Sequence, residues 1–174
     1  MVKQFLLKIL WPRYIKEGNP HAFSTVLRSY VWQKIFGFNR HVPWPVHRTT
    51  KVIKPENIKR GSRTPGLSHG CHLDGRNGIV FGENVWIGPY VTIVSQNHDL
   101  NNFHAYLKEG SIFIGDNCWL GAHSILLPGV VLGNHVVVGA GSVVTKSFKQ
   151  DNILIAGNPA GIVKELSDYR VEEQ

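Results

Sequence analysis

The chain has 174 residues, of which 43% are hydrophobic and 18% are charged, and it carries a formal net charge of +7. This length suits one domain, and the composition is too apolar for a disordered protein. Because there are only two cysteines and no apolar run of about 20 residues, neither a disulfide framework nor a membrane-spanning helix is expected, and we predict a cytoplasmic protein.

Residues 1–45 are predicted to form a helical segment ahead of the main domain. Apolar residues recur at near-helical spacing in the stretches 5–10 and 23–35, and Gly18-Asn-Pro20 separates the two stretches. The N-terminus lacks the uninterrupted apolar region and the cleavage site of a signal peptide. We expect the segment to cap the open end of the domain that follows, because an uncapped stack of strands would expose unpaired edges.

The positive charge is concentrated at the same end of the chain. Residues 1–60 hold twelve Lys/Arg and two Glu, whereas residues 61–174 hold seven Lys/Arg and ten Asp/Glu. Two interpretations stay open: a solvated basic face, or attraction to an anionic partner such as the inner membrane surface or a phosphorylated glycan carrier. Nucleic acid is not an expected partner, since no known binding motif accompanies the charge.

A six-residue repeat begins at residue 81. Its blocks read FGENVW, IGPYVT and IVSQNH, and then, after an interruption, IGDNCW, LGAHSI, LLPGVV, LGNHVV, VGAGSV and VTKSFK. The first position is apolar in all nine blocks, the second is Gly in six, and the fifth is small or apolar in most. A period of six fits neither a helix nor one extended strand, so we predict short strands joined by tight turns, with Gly and Asn at positions of positive φ. Three blocks make one triangular coil, and stacked coils share a core.

The repeat domain is predicted to span residues 46–165. Apolar positions between residues 46 and 74 indicate irregular earlier coils, and residues 162–166 indicate a short closing helix or strand. Residues 166–174 are predicted to form a tail. Within the domain, residues 99–113 leave the repeat and return to it in phase, and a long loop inside a regular repeat is usually functional.

These motifs resemble those of the hexapeptide-repeat acyltransferases. The resemblance rests on the Ile-Gly-x-x-Val repeats, on Gly139-Ala-Gly-Ser-Val-Val-Thr-Lys146 and on Ala156-Gly-Asn-Pro-Ala160, and it covers residues 75–165. The most similar branch contains the maltose, galactoside and polysaccharide O-acetyltransferases. The resemblance implies an all-β solenoid, a left-handed parallel β-helix with an N-terminal helical segment and a short C-terminal helix. The handedness comes from the family, since general rules favour right-handed crossovers.

The resemblance also implies an enzyme that transfers an acetyl group from acetyl-CoA to a hydroxyl of a sugar or polysaccharide precursor. This reaction needs a base, a donor for the oxyanion and a slot that aligns the reactants. His98 matches the family's catalytic base, and an ordinary histidine, with a pKa of about 6.5, is mostly neutral near pH 7. Asn97 is expected to assist catalysis or bind the acceptor, and Asp99 and Tyr106 to bind the acceptor. Direct attack on the thioester is expected, because no nucleophile motif accompanies His98.

Six residues are expected, by the same resemblance, to bind the coenzyme. They are Trp119 beside the acyl group, Ala122 and Ala140 along the pantetheine arm, and Thr145, Lys146 and Lys164 at the phosphates and adenine. The chain departs from the family pattern at Gly161, where Lys or Arg is usual, and Lys164 is the candidate replacement. Family trimers form each active site between two subunits, so a homotrimer is expected, with His98 and Trp119 from different chains.

Three alternatives stay open. An N-acyltransferase that acts on an amino sugar would use the same base. A zinc enzyme of the γ-class carbonic anhydrase type would need three histidine ligands, two of them spaced by five, but His69 and His72 are three apart and His98 and His104 are six apart. No metal site is therefore expected. A solenoid without catalytic activity is disfavoured by His98 and the interrupting loop.

Overall fold

A computed structural model describes residues 23–170 of the chain. Helix α1 (Phe23–Tyr30) continues into a π-helical turn at Val31–Ile35, so the second predicted helical stretch is confirmed. The stretch 5–10 and the last four residues of the predicted tail lie outside the described residues. None of the described helices has both the length and the apolarity that a membrane span needs.

The other regular elements of the described chain are short strands, joined by turns, and one 3-10 turn at Pro55–Asn57. The strands are β1 (Lys51–Ile53), β2 (Ile58–Lys59), β3 (His72–Asp74), β4 (Ile79–Phe81), β5 (Trp86–Ile87), β6 (Thr92–Val94), β7 (His98–Asp99), β8 (Asn102–Tyr106), β9 (Ile112–Ile114), β10 (Trp119–Leu120), β11 (Ile125–Leu126), β12 (Val131–Leu132), β13 (Val136–Val138), β14 (Val143–Val144), β15 (Ile153–Gly157) and β16 (Ala160–Glu165). The early strands β1 to β3 confirm the predicted coils between residues 46 and 74.

Three sheets form the sides of a triangular prism. Face A has the strand order β1-β3-β6-β11-β14, face B has β2-β4-β9-β12, and face C has β5-β10-β13-β15-β16. All pairings within these faces are parallel except that of β15 with β16. From β4 onward the chain visits faces B, C and A in turn, so each coil uses three six-residue blocks. The predicted β-solenoid is confirmed.

The first and fifth positions of the repeat fill the core, as predicted. Every first-position residue is buried except Ile87, which is half-buried, and the small or apolar fifth-position residues are buried as well. Asn97, the polar exception at the fifth position, is exposed. The repeat therefore ends locally where its pattern fails, and the hairpin that carries His98 begins there.

The prediction that the second-position glycines have positive φ is wrong. Gly82, Gly115 and Gly133 do not have positive φ, whereas Asn84 and Asn117, two residues after the first two of them, do, at 54° and 56°. The glycines are needed for a different reason, because a Cβ on Gly115 would lie 2.3 Å from the carbonyl oxygen of Gly133 in the next coil. Successive coils thus touch backbone to backbone at this corner.

The chain end also differs from the expectation of a short C-terminal helix. Strand β16 turns back antiparallel along β15, with Ile153 opposite Glu165 and Gly157 opposite Ala160. A strand here satisfies the backbone groups that would otherwise be unpaired at the last edge of face C, which a helix would leave open. The β-branched Ile162 and Val163 favour this conformation.

The N-terminal segment packs on the solenoid. Val26, Val42 and Val46 are fully buried in the same apolar cluster as the repeat side chains. Gln33, also fully buried, donates from Nε2 to the Trp44 carbonyl at 3.1 Å and accepts from the Val46 amide at 2.9 Å. These bonds satisfy the buried amide and fix the segment against the first coil.

Candidate active site

The segment predicted as a loop at residues 99–113 contains a β-hairpin. Strands β7 and β8 pair antiparallel, with His98 opposite Tyr106 and Asp99 opposite Asn102. The hairpin leaves the prism at the corner between faces A and B, after β6 and before β9. Because cross-strand pairing restrains the backbone, His98 lies on a more ordered support than an irregular loop provides.

The contacts of His98 determine which ring nitrogen carries the proton. Nδ1 lies 2.6 Å from the carbonyl oxygen of Phe103. A carbonyl oxygen only accepts, so Nδ1 of the neutral ring must carry the hydrogen and Nε2 has the free lone pair. The Tyr106 ring lies at 4.6 Å between centroids and restrains the imidazole from one side. The side chain is exposed, so Nε2 is accessible to a proton donor.

The residues on either side of His98 make contacts within the hairpin region. Asn97 donates from Nδ2 to Oε1 of Glu109 at 3.3 Å, and its carbonyl accepts from the Leu107 amide at 2.9 Å. Asp99 accepts from the Asn101 amide at 2.7 Å, which closes an Asx turn at the hairpin tip. Both residues therefore shape the hairpin, and the predicted acceptor contacts stay predictions.

Two of the expected coenzyme residues lie on face C. Trp119 is 56% exposed and pairs across the strands with Trp86 on one side and Val137 on the other. The same cross-strand row continues through Leu154 to Lys164. The row is a strip of outward side chains, apolar along most of its length and cationic at Lys164.

The other four expected coenzyme residues lie at two corners of the prism. Ala122 and Ala140 follow β10 and β13 at the corner between faces C and A, in adjacent coils, and the Ala122 carbonyl accepts from the Gly141 amide. Thr145 and Lys146 follow β14 at the corner between faces A and B, where both side chains are exposed. The hairpin of His98 leaves from the same corner two coils earlier.

One subunit does not bring all of the predicted catalytic and coenzyme-binding residues together. In a triangular prism, the corner between faces A and B lies opposite face C. His98, Thr145 and Lys146 are therefore on one side of the prism, and Trp119 and Lys164 are on the other.

Trp86 is a candidate that the sequence reasoning missed. The Arg63 guanidinium lies 3.3 Å from the centroid of its ring, and Arg63 Nε donates to the Asn84 side chain at 2.8 Å. A cavity of about 350 Å³ opens beside these residues, where the preceding coil has no strand on face C. The signal was present in the repeat, since Trp86 and Trp119 share the sixth position of the blocks FGENVW and IGDNCW.

In the described part of the chain, the remaining reactive side chains give no second catalytic centre. Burial raises the pKa of both thiols, that of Cys118 to about 11, so neither is an activated nucleophile. Among residues 23–170, no group of three or more His, Cys, Asp or Glu side chains is arranged to hold a metal ion. The zinc alternative has no support in this part of the chain.

Comparison with known proteins agrees with this architecture. Residues 111–146 match the family described as "Bacterial transferase hexapeptide (six repeats)". The galactoside O-acetyltransferase of Escherichia coli K12 is 37% identical over 95 residues, which are 52% of this chain and 45% of that protein. A galactoside O-acetyltransferase of Lactococcus lactis is 39% identical over 94 residues, 52% of this chain and 44% of that protein. The matched region thus spans less than half the length of these relatives.

A solved structure extends the similarity to the whole fold. A hexapeptide-repeat acetyltransferase from Vibrio cholerae O1 biovar eltor, complexed with acetyl coenzyme A, is 25% identical with a TM-score of 0.60, and the alignment covers 96% of this chain and 87% of that chain. The shared fold is the left-handed parallel β-helix. By its repeat and its fold, the chain is similar to the hexapeptide-repeat acyltransferases, and the family model matches it over residues 111–146.

Proposed function

We propose that this protein is an acetyl-CoA-dependent O-acetyltransferase that acts on a hydroxyl of a sugar or polysaccharide precursor. The observation that carries the proposal is the hydrogen bond of His98 Nδ1 to the Phe103 carbonyl, which leaves Nε2 as an accessible base. The similarity to galactoside O-acetyltransferases supports the choice of a sugar hydroxyl over an amine.

The reaction follows from the position of that lone pair. Nε2 of His98 accepts the hydroxyl proton while the hydroxyl oxygen attacks the thioester carbonyl carbon. The tetrahedral intermediate collapses, the C–S bond breaks, and the imidazolium returns the proton to the departing thiolate. Because Nδ1 stays bonded to the Phe103 carbonyl throughout, the imidazolium charge has an acceptor in place from the start.

Acetyl-CoA is proposed as the co-substrate, and the surface chemistry of the chain is compatible with it. The exposed Trp119 offers a flat wall for the acyl end, and the small side chains of Ala122 and Ala140 leave the backbone open to the pantetheine arm. The exposed Lys146 offers a point charge for phosphate, while Lys164 is the cation available near Gly161.

We propose a homotrimer with each active site between two subunits. The support is geometric, since His98 and Trp119 lie on opposite sides of one prism and cannot face a single thioester from the same chain. A neighbouring prism that places its face C beside the hairpin brings the two halves together. In this arrangement, mixing His98→Gln and Trp119→Ala subunits restores part of the activity that each variant lacks alone.

The experiment that tests the function is thiol release from acetyl-CoA in the presence of a panel of sugars and amino sugars. We expect hydroxyl acceptors to support turnover, and His98→Gln to reduce it by about 10²- to 10⁴-fold, the usual contribution of a general base. His104→Gln, on the same hairpin, is the matched control and should stay within about twofold. Turnover only with amino sugars, or equal rates for the two variants, would refute the proposal.

For localisation, we propose a cytoplasmic protein whose basic N-terminal third contacts the anionic inner membrane surface. Ile35, Phe36 and Phe38 are 68%, 60% and 49% exposed, and the cations Lys34 and Arg40 lie in the same short stretch. Apolar side chains beside basic ones are typical of interfacial binding. Sedimentation with liposomes should require acidic lipid and weaken as salt is raised. Equal binding to neutral vesicles, or no binding, would contradict the assignment.

A further inference from the structure

Four aromatic side chains follow one another along the corner between faces C and A. The ring centroids of His47 and His69 are 6.1 Å apart, those of His69 and Tyr90 are 4.9 Å apart, and those of Tyr90 and His123 are 4.7 Å apart and stacked. We name these four residues the corner ladder. The ladder ends at His123, which directly follows Ala122 of the proposed coenzyme path.

Left-handed turns of the backbone carry two of the ladder residues. Tyr90 and His123 have φ of 57° and 59°, a left-handed conformation that bulky residues rarely adopt. Gly70 has φ of 70° in the preceding coil, and a Cβ there would lie 2.2 Å from the Tyr90 ring. The tyrosine ring thus lies directly over the glycine backbone, and the rings remain outward rather than packed into the core. Positive φ recurs at the fourth position of other blocks, as at Asn84, Asn117 and His135, so it is a property of the turns and explains why the ladder rings line one corner.

A cavity of about 190 Å³ lies at the other end of the ladder, next to His47. We name it the arginine cavity; it is lined by Arg28, Ser29, Trp32, Val46, His47 and Arg48. The Arg48 guanidinium lies 4.6 Å from the centroid of the Trp32 ring, which restrains the direction of its donors. Two guanidinium groups, a hydroxyl and an imidazole therefore surround one small space.

The positive charge of the arginine cavity has no counter-ion in the described part of the chain. None of the lining residues is acidic, and the ion pairs found within residues 23–170 involve neither Arg28 nor Arg48. Burial lowers the pKa of His47, and the neighbouring His69, Arg48 and Arg28 lower it further. Residues 1–22 contain four Lys/Arg and one Glu, so their sequence adds positive charge as well.

We propose that the arginine cavity binds a phosphate or diphosphate group of the acceptor and that the corner ladder packs against the acceptor's sugar rings. The inference rests on the proposed function, because it takes the coenzyme slot beside Trp119 and Ala122, completed by His98 of a neighbouring subunit, as the place of acetyl transfer. Guanidinium groups match phosphate oxygens with paired donors, and a flat aromatic face packs against the C–H face of a sugar ring.

The length of the ladder indicates the size of the acceptor. Its residues occupy four successive coils, on β1, β3, β6 and β11 of face A or just before them. At a strand spacing of about 4.8 Å, the three intervals span about 14 Å. The acceptor is therefore a glycan of several sugar units that is linked to a phosphate or diphosphate, and a single sugar unit would not reach from the cavity to the coenzyme.

Calorimetric titration with inorganic pyrophosphate, at constant ionic strength and without coenzyme, tests the cavity. We expect saturable binding that weakens at least tenfold in Arg28→Gln and in Arg48→Gln. Arg170→Gln, which removes the same charge from an exposed site beyond the solenoid strands, is the control and should bind like the wild type. A bound dianion should also raise the pKa of His47 in an NMR titration. No saturable binding, or equal losses in all three variants, would overturn the proposal.

A parallel titration with acetyl-CoA distinguishes a failure of the arginine-cavity proposal from a failure of the proposed function. If acetyl-CoA binds and pyrophosphate does not, the proposed phosphate site in the arginine cavity is refuted and the proposed function stands. Displacement of pyrophosphate by UDP-glucose would assign the phosphate to a soluble acceptor. Displacement by vesicles that contain phosphatidic acid would assign it to a lipid-linked one. If neither displaces pyrophosphate, the proposed link between the cavity and the acceptor is refuted.

Discussion

Replacing Gly115 with alanine should destabilise the solenoid strongly, although the added group is only a methyl. The new Cβ would lie 2.3 Å from the carbonyl oxygen of Gly133 and 2.5 Å from its carbonyl carbon. Carbon and carbonyl oxygen approach each other to about 3.3 Å in favourable contacts, so the two coils must separate by about 1 Å.

The size of the effect follows from the hydrogen bonds that this separation strains. The Gly115 amide donates to the Leu132 carbonyl at 3.1 Å, and the Asp116 amide donates to Oδ1 of Asn134 at 2.9 Å. A shift of about 1 Å takes such bonds beyond the usual range, at about 0.5–1.5 kcal/mol each. With an overpacking cost of about 1–3 kcal/mol, we expect the free energy of unfolding to fall by about 2–6 kcal/mol.

Urea denaturation at one fixed protein concentration measures this effect. Gly110→Ala is the matched control, because Gly110 has no atom within 4 Å of its added Cβ and no positive φ. The control should change the free energy of unfolding by less than about 0.5 kcal/mol. If Gly115→Ala is as mild as the control, close stacking of the coils is not the reason for glycine at the second position of the repeat.

Three further predictions concern other parts of the chain. Because burial raises the pKa of the Cys118 thiol to about 11, a thiol reagent at about pH 8 should modify it slowly in the native protein and fast in denaturant. Burial lowers the pKa of His72 below 6.5, so the unfolded state binds the proton more readily than the folded state. The free energy of unfolding should therefore fall as the pH drops through about 6.5. His72→Gln should weaken this pH dependence in urea titrations between about pH 5 and 7.5. Gly70→Ala should reduce stability by about 1–3 kcal/mol in the same assay, because its Cβ meets the Tyr90 ring at positive φ.

The solenoid could be predicted because each coil repeats the same local rule. An apolar first position and a small fifth position recur regardless of distant contacts, so Leu120 and Ser124 point into the core as the blocks indicated. The role of the second-position glycines could not be predicted from the sequence, since it depends on how closely two coils stack. Likewise, the sequence does not show that β15 would be left as an unpaired edge of face C. Pairing with this edge is the reason that Ile162 lies in a strand.

The sequence indicated candidate site residues, whose roles stay predictions, but it did not indicate how these residues are arranged. The broken repeat identified His98, but the hydrogen bond from Nδ1 to the Phe103 carbonyl depends on a hairpin that the sequence does not mark. The corner ladder was not predicted from the sequence for a similar reason. His69, Tyr90 and His123 are separated by 21 and 33 positions along the chain, and only the stacking of coils brings their rings together.

The central claim is that this chain binds and uses acetyl-CoA, and calorimetric titration of the purified protein with acetyl-CoA, with and without a chelator, tests it most directly. We expect saturable binding that the chelator does not change. An absence of saturable binding, or binding that the chelator abolishes, would contradict it.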